Sequence, residues 1–502
     1  MKKLTAALAS ACALTFTATA AAVDFGANDD TGKYSVDGGA VYFPQMAGAG
    51  LKQNVMTVRW KPSDPLTIPD QEALDRAVPI AIAAGIKVLF AVYPYPPSEI
   101  EGGAVSPAAF ATWLGALAQR YPQVTTYIVG NEPNLNTFWR PQGDGAGQVL
   151  SGASFGPFLA AGYDALKAVS PASTVLGVGL SPRGSRNPAA AGKTSPVHFL
   201  NSLGTWYRGS NRMTPLMDGF SFHPYPNPSD FTVPFSFTYG WPNASVQELA
   251  RIKQGLWDAF DGTPQRTTVN GLELYLDEVG WQVSTDGNPA YADAENVKVT
   301  SEQNQAAIYA ELVRYVVCDP DVAQLNFFGY YDERTRLGWQ SALRRTDGTE
   351  RASNGAVAAA IAATGGQCQG AMRSWSPLAR PEGAAVSFEK VAPKAKGSTV
   401  ARYTPFAAED VLVKAGFVPA STPESRIPAL LEDAGRVEAF RRPPSSRSGL
   451  ASSVPQVFAV SLAAALNPAR VAVFKTPLFK TVPAKAAKPL KPKPKPKLGK
   501  RK

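Results

Sequence analysis

Histidine and cysteine are almost absent from this chain of 502 residues, which holds only His198 and His223 and only Cys12, Cys318 and Cys368. With no Cys–His cluster the usual zinc ligand sets are excluded, and neither a metal site nor a cofactor is expected. Long apolar runs are equally scarce. Beyond the N-terminus none reaches the roughly 20 residues a membrane span needs, and the run Val454 to Leu466 stops at Asn467-Pro468. Charged residues make up only 18% of the chain, yet hydrophobics reach 45%, which excludes wholesale disorder and a collagen-like fibre.

What charge there is lies unevenly. Residues 371–502 carry 24 Lys and Arg against 8 Asp and Glu, whereas residues 1–370 carry 26 against 32. The net charge of +10 therefore belongs to the C-terminal part, and reading the whole chain as a nucleic-acid binder is not justified. Met1-Lys2-Lys3, followed by an Ala-rich apolar run to Ala22, has the pattern of a secretory signal peptide with small residues suited to cleavage. A secreted or envelope-associated protein is expected. Removal of residues 1–22 takes Cys12 with it, and Cys318 and Cys368 become candidates for a single disulfide in an exported chain.

From about Val23 to Gly366, short β-branched runs alternate with Ala-rich amphipathic segments, within a domain set at residues 23–370. The strand candidates are Val23 to Gly26, Val55 to Trp60, Lys87 to Tyr93, Thr125 to Asn131, Thr174 to Gly179, Gly219 to His223, Leu272 to Asp277 and Gln324 to Phe328. The helix candidates between and after them are Gly39 to Gly50, Asp70 to Ala84, Ser106 to Arg120, Gly156 to Val169, Val197 to Tyr207, Ser245 to Phe260, Ser301 to Val317 and Ser353 to Ala363. Strict alternation of this kind predicts an α/β fold, a (β/α)8 TIM barrel in one domain. A doubly wound sheet would be expected to show a Gly-rich phosphate loop after its first strand; Gly26-Ala27-Asn28-Asp29-Asp30 is not one. Residues 371–502 read as a largely disordered basic extension. It ends in Lys-Pro alternation that favours extended backbone, with Pro428 to Phe440 a candidate for one short helix.

Barrel enzymes draw their active residues from the C-terminal ends of strands. Strand four ends in Val129-Gly130-Asn131-Glu132-Pro133 and strand seven in Asp277-Glu278-Val279-Gly280-Trp281, so each delivers a glutamate, three strands apart on the ring. Two carboxylates facing across a barrel mouth can cleave a glycosidic bond, one protonating the leaving oxygen while the other attacks or activates water. Spacing alone leaves surface carboxylates as an equal alternative. Asp277 should point to the opposite side of its strand and serve packing. Asp332 and Glu333 default to a solvated loop, and His198 to a helix face.

Asn131-Glu132-Pro133, Ser221-Phe222-His223-Pro224-Tyr225 and Asp277-Glu278-Val279-Gly280-Trp281 together resemble the signatures of glycoside hydrolase clan A, the retaining (β/α)8-barrel glycosidases that include the cellulases and mannanases of family 5. The resemblance covers the barrel segment and leaves the extension unexplained. It implies that Glu132 is the acid/base and Glu278 the nucleophile, with Asn131 at the sugar 2-hydroxyl. It also implies Arg59 beside the nucleophile, the pair His223 and Tyr225 on strand six, and Trp339 as an aromatic platform under the sugar. Arg59 and Tyr225 would favour an anion at Glu278, while Glu132 must hold a proton at the same pH. Family 5 members usually carry histidine at the end of strand three, where this chain has Tyr93-Pro94-Tyr95. Tyr93, Tyr95, Trp139, Trp241 and Trp281 are candidates for stacking on sugar faces, with ordinary loop packing as the alternative at each.

The expectation is therefore a monomeric, exported retaining glycosidase acting on a poly- or oligosaccharide, with a carboxyl separation of about 5 to 5.5 Å. It has no nucleic-acid partner and no transmembrane segment. The basic extension either adheres to anionic envelope polymers or merely solubilises the chain. Two alternatives stay open: a carbohydrate-binding barrel without catalysis, and an arabinofuranosidase or galactofuranosidase of the same clan.

Overall fold

The computed structural model describes residues 22–377, except 102–105, 145–146, 186–187, 228, 241 and 286, together with four short strands further on. Eight strands follow one another in sequence order around a closed barrel. They are β1 (Asp24–Asn28), β2 (Gln53–Trp60), β3 (Lys87–Pro94), β4 (Thr126–Val129), β5 (Thr174–Leu180), β6 (Gly219–Phe222), β7 (Glu273–Val279) and β8 (Val322–Phe328). The main helices are α1 (Tyr42–Gly48), α2 (Gln71–Ala83), α3 (Pro107–Arg120), α4 (Ser151–Val169), α5 (Pro196–Gly209), α6 (Leu249–Phe260), α7 (Glu302–Val316) and α8 (Ala352–Thr364). The expected (β/α)8 architecture is therefore present.

The strands read as near-continuous hydrophobic runs because parallel strands under helices are buried on both faces. Seven of the eight residues of β3 and all four of β4 are buried. Several helices start where a serine hydroxyl takes up an orphan N–H. Ser106 accepts from Ala109 ahead of Pro107, Ser195 from His198 ahead of Pro196, and Ser301 from Asn304.

The chain divides into two compact units. The first comprises Met1–Met56, Glu72–Leu89 and Glu273–Ser374. In it β1 pairs in parallel with β2 and with β8, Asn28 standing opposite Val55 on one side and Phe328 on the other. β8 also pairs with β7. Cys318, just after α7, and Cys368, just after α8, form a disulfide. The second unit comprises Thr57–Gln71, Phe90–Leu272 and Trp375–Lys502. In it β5 pairs in parallel with β4 and β6, with a register shift between Gly177 and Leu180.

No helix among the described residues is long and apolar enough to cross a membrane. The signal-peptide segment up to residue 21 lies outside the described residues, as does most of the extension with its expected disorder. The described part of the extension is an antiparallel sheet of Val418–Pro419, Ala439–Arg441, Val457–Val460 and Val473–Phe474. Ala439 and Phe440 stand in one of these strands, which corrects the helix expected to run through Phe440.

Candidate active site

Glu132 belongs to the second unit. The chain leaves β4 through Gly130, whose N–H donates to the Val92 carbonyl at 2.9 Å, and turns at Glu132 with φ +41. Left-handed backbone is rare for a residue with a Cβ and stores about 1–3 kcal/mol, a cost found mostly where function fixes the geometry. The turn is held by Glu132 N–H donating to the Gly179 carbonyl at 2.7 Å and by Leu135 N–H donating to the Glu132 carbonyl at 2.8 Å. Two glycines make this close approach of β4 and β5 possible. At Gly130 (φ +123) a Cβ would stand 2.5 Å from the Val178 carbonyl oxygen, and at Gly179 (φ +62) it would crowd His223 Nε2 at 3.2 Å.

The Glu132 side chain is 16% exposed, and its Oε1 lies 3.3 Å from Nδ1 of His223, which is itself only 2% exposed. His223 follows β6, with its N–H donating to the Leu180 carbonyl at 2.9 Å. This contact between the residues after strands four and six was not among the sequence expectations. Asn131 is half-buried and Tyr225 is buried at 5% exposure. The sequence reading missed Asn134, which is fully buried. It accepts from Ser181 N–H at 3.0 Å and donates to the Ser181 and Thr194 carbonyls, tying the loop after β4 to the loop after β5.

Arg59 and Tyr93 meet in the same unit. Arg59, near the end of β2, is exposed; its Nε donates to the Tyr93 hydroxyl at 3.0 Å, and its guanidinium lies 5.1 Å from the ring centre of Tyr95. Tyr93 is 4% exposed and packs edge-on against Tyr95 and Phe138. Ordinary packing, the alternative to stacking on sugar, is thus visible at this ring. What Tyr93 offers the site is an acceptor that holds Arg59. Trp139 is packed in the same way: it is 2% exposed, donates to Ser154 Oγ at 2.8 Å and meets Phe155 and Phe158 edge-on. Trp241 lies outside the described residues.

Glu278 belongs to the first unit, as the next-to-last residue of β7 and half-buried. Its Oε1 accepts a hydrogen bond from Asn28 Nδ2 at 3.1 Å, a partner that the sequence reading passed over. Asp277 is fully buried, in keeping with a packing role. Trp281 is a core residue at 1% exposure. Its N–H donates to Tyr309 Oη at 3.0 Å, its carbonyl accepts from Gln305 and its ring meets Tyr309 edge-on. These contacts give the Trp281 ring a packing role beside the subsite role expected of it. Trp339 is half-buried and meets Phe328, the last residue of β8, edge-on at 5.3 Å.

The segment carrying Trp339 is anchored by charge. Asp332, expected in a solvated loop, is buried. It accepts from Arg351 Nη1 at 2.8 Å, Ala342 N–H at 3.0 Å and Tyr291 Oη at 2.5 Å, and a second ion-pair contact comes from Arg351 Nη2. Arg351 and Arg345 both pair with Glu302 at the start of α7. Burial pushes the Asp332 carboxyl up to about 7 against the pull of Arg351, and burial followed by the Asp332 charge raises the Tyr291 hydroxyl. His198 is buried with Nδ1 2.8 Å from Ser195 Oγ at the cap of α5, consistent with a structural residue.

No protein-family model matches the chain, and no curated protein does. Solved structures that resemble it include glycoside hydrolases. A family 39 enzyme from Bacteroides cellulosilyticus WH2 superposes with TM-score 0.45 at 18% identity, over 67% of this chain and 63% of that one. A family 5, subfamily 18 structure from Streptomyces cattleya in complex with GlcNAc gives 0.46 at 15% identity, over 68% and 80%. An exo-β-1,4-mannosidase from an Opitutaceae bacterium gives 0.43 at 14%, over 68% and 59%.

Proposed function

We propose that this chain is an exported retaining glycoside hydrolase, with Glu132 as acid/base and Glu278 as nucleophile. The observation that carries the reading is the setting of Glu132 at the end of β4. Its backbone is in the left-handed region, its N–H is tied to Gly179, and its carboxyl lies beside the buried His223. Glu278, at the C-terminal end of β7 and held by Asn28, supplies a second strand-end carboxylate of the kind a barrel enzyme uses. The disulfide Cys318–Cys368 supports export to an oxidising compartment.

In the first step a Glu278 carboxylate oxygen bonds to the anomeric carbon while the bond to the leaving oxygen breaks, and Glu132 gives that oxygen its proton. In the second step the Glu132 carboxylate takes a proton from water, whose oxygen attacks the anomeric carbon and releases Glu278. Arg59, held by Tyr93, contributes a fixed cation, and the half-buried Trp339 contributes an aromatic surface. Proton NMR of the first-formed product from an aryl glycoside tests the mechanism. Retention of anomeric configuration, together with loss of turnover in Glu278→Gln, is expected. Inversion, or wild-type rates in that variant, overturns it.

A further inference from the structure

We propose that Asn28 is a positioning residue for the nucleophile, its amide fixing the carboxylate of Glu278 in the orientation for attack. The inference rests on the retaining reading of Glu278. Asn28 is the last residue of β1, 9% exposed, and its Nδ2 donates to Glu278 Oε1 at 3.1 Å across 250 residues of sequence. A neutral amide donating to an ionised carboxylate forms a charge-assisted bond. The opposite amide orientation would set two oxygens against each other, so the donor side is chosen by Glu278 itself.

The position of Asn28 is fixed from both flanks. Its carbonyl accepts from Gly329 N–H at 3.0 Å on the β8 side, and the next residue, Asp29, donates its N–H to the Val55 carbonyl at 3.2 Å on the β2 side. The Asp29 carboxylate is then pinned by four donors: Thr31 N–H at 2.7 Å, Tyr330 N–H at 2.8 Å, Tyr331 N–H at 2.9 Å and Tyr42 Oη at 2.8 Å. Tyr42 stays protonated, and so remains a donor, because burial and then the Asp29 charge raise its hydroxyl well above the ordinary tyrosine range. Such a shell is what a preorganised contact requires.

The bond has two opposed effects. It stabilises the carboxylate anion, which reduces nucleophilicity, and it removes rotation about the carboxyl group, which increases productive encounters. Misplacement of a reacting atom by about 1 Å can cost on the order of a hundred-fold in rate, so orientation dominates.

The test uses the full chain and 2-deoxy-2-fluoro-β-glycosyl fluorides of glucose, mannose and xylose, which trap a retaining nucleophile as a stable ester. Label found by mass spectrometry on the Glu278 peptide supports the underlying reading; a chain that hydrolyses the aryl glycoside of one of these sugars yet is not labelled there by its fluoride refutes that reading, and the inference falls with it. Given the label, Asn28→Leu, similar in shape but without a donor, is expected to inactivate roughly 10- to 100-fold more slowly at saturation. Its half-saturating concentration should stay within about twofold and its melting temperature near wild type. An unchanged inactivation rate, or a loss only in half-saturation, overturns the inference while Glu278 keeps its role. If Asn28→Leu does not fold, Asn28→Ala is read in the same way. Failure of both to fold assigns Asn28 to structure alone and overturns the proposal.

Discussion

Adding one methyl group at Gly179 probes whether backbone geometry positions the acid. Gly179 has φ +62, where an L-residue costs about 1–2 kcal/mol. The new Cβ would stand 3.2 Å from His223 Nε2, 3.3 Å from the Gly130 carbonyl oxygen and 3.4 Å from Asn131 Cα. Two of these neighbours are backbone, so the chain relieves the contact either by moving His223 a few tenths of an ångström or by displacing the Asn131–Glu132 turn that hangs on the Gly179 carbonyl at 2.7 Å. Gly179→Ala is therefore expected to lose about 1–2 kcal/mol, a drop in Tm of a few degrees for a domain of this size. The catalytic effect should be selective. A displaced acid slows glycosides whose leaving group needs a proton, by roughly 10- to 100-fold, and barely affects a dinitrophenolate that departs without one. The assay is kcat/KM, which reports the first step, for phenyl and 2,4-dinitrophenyl glycosides of one sugar, alongside a thermal melt. Equal losses on both substrates, or none on either, would refute the link between Gly179 and acid catalysis by Glu132.

The barrel was legible because its strands are buried on both faces and stand out as apolar runs, and because serine caps mark several helix starts. Where boundaries were missed, the local signal opposed the tertiary one. The helix α4 begins at Ser151, five residues before its expected start at Gly156; Leu150 provides no side-chain cap to mark that start, and Gly152 weakens the local helical signal. Gly152 and Gly156 are in fact buried on the packed side of that helix. The strand-end positions of Glu132 and Glu278 were legible because each sits in a local motif there. Asn28 was not, since its bond to Glu278 joins positions 250 apart and nothing beside it in sequence marks it. The aromatics were the least readable. Tyr93, Trp139 and Trp281 lie at or after strand ends just as a sugar platform would, and their burial became visible only in the fold.

The disulfide and the charged anchor of the loop after β8 give two stability tests. Replacing Cys318 and Cys368 by alanine frees a closed loop of 50-residue separation, worth about 4 kcal/mol on chain entropy, and urea denaturation should show most of that loss. Arg351→Met leaves the buried Asp332 without its cation, while Glu302 keeps Arg345, and should cost about 3–5 kcal/mol in the same assay; a loss below about 1 kcal/mol would mean that the network carries little of the fold. The tryptophans separate packing from binding. Trp281→Ala removes a ring that is 1% exposed and should cost about 3–5 kcal/mol, whereas Trp339→Ala, at a half-buried ring, should leave Tm nearly unchanged and lower kcat/KM. Because a stacked platform contributes binding in the ground state and in the transition state alike, most of the Trp339 effect should fall on KM. A variant that melts normally and keeps the wild-type KM would remove Trp339 from the sugar site and leave its edge contact with Phe328 as its whole role.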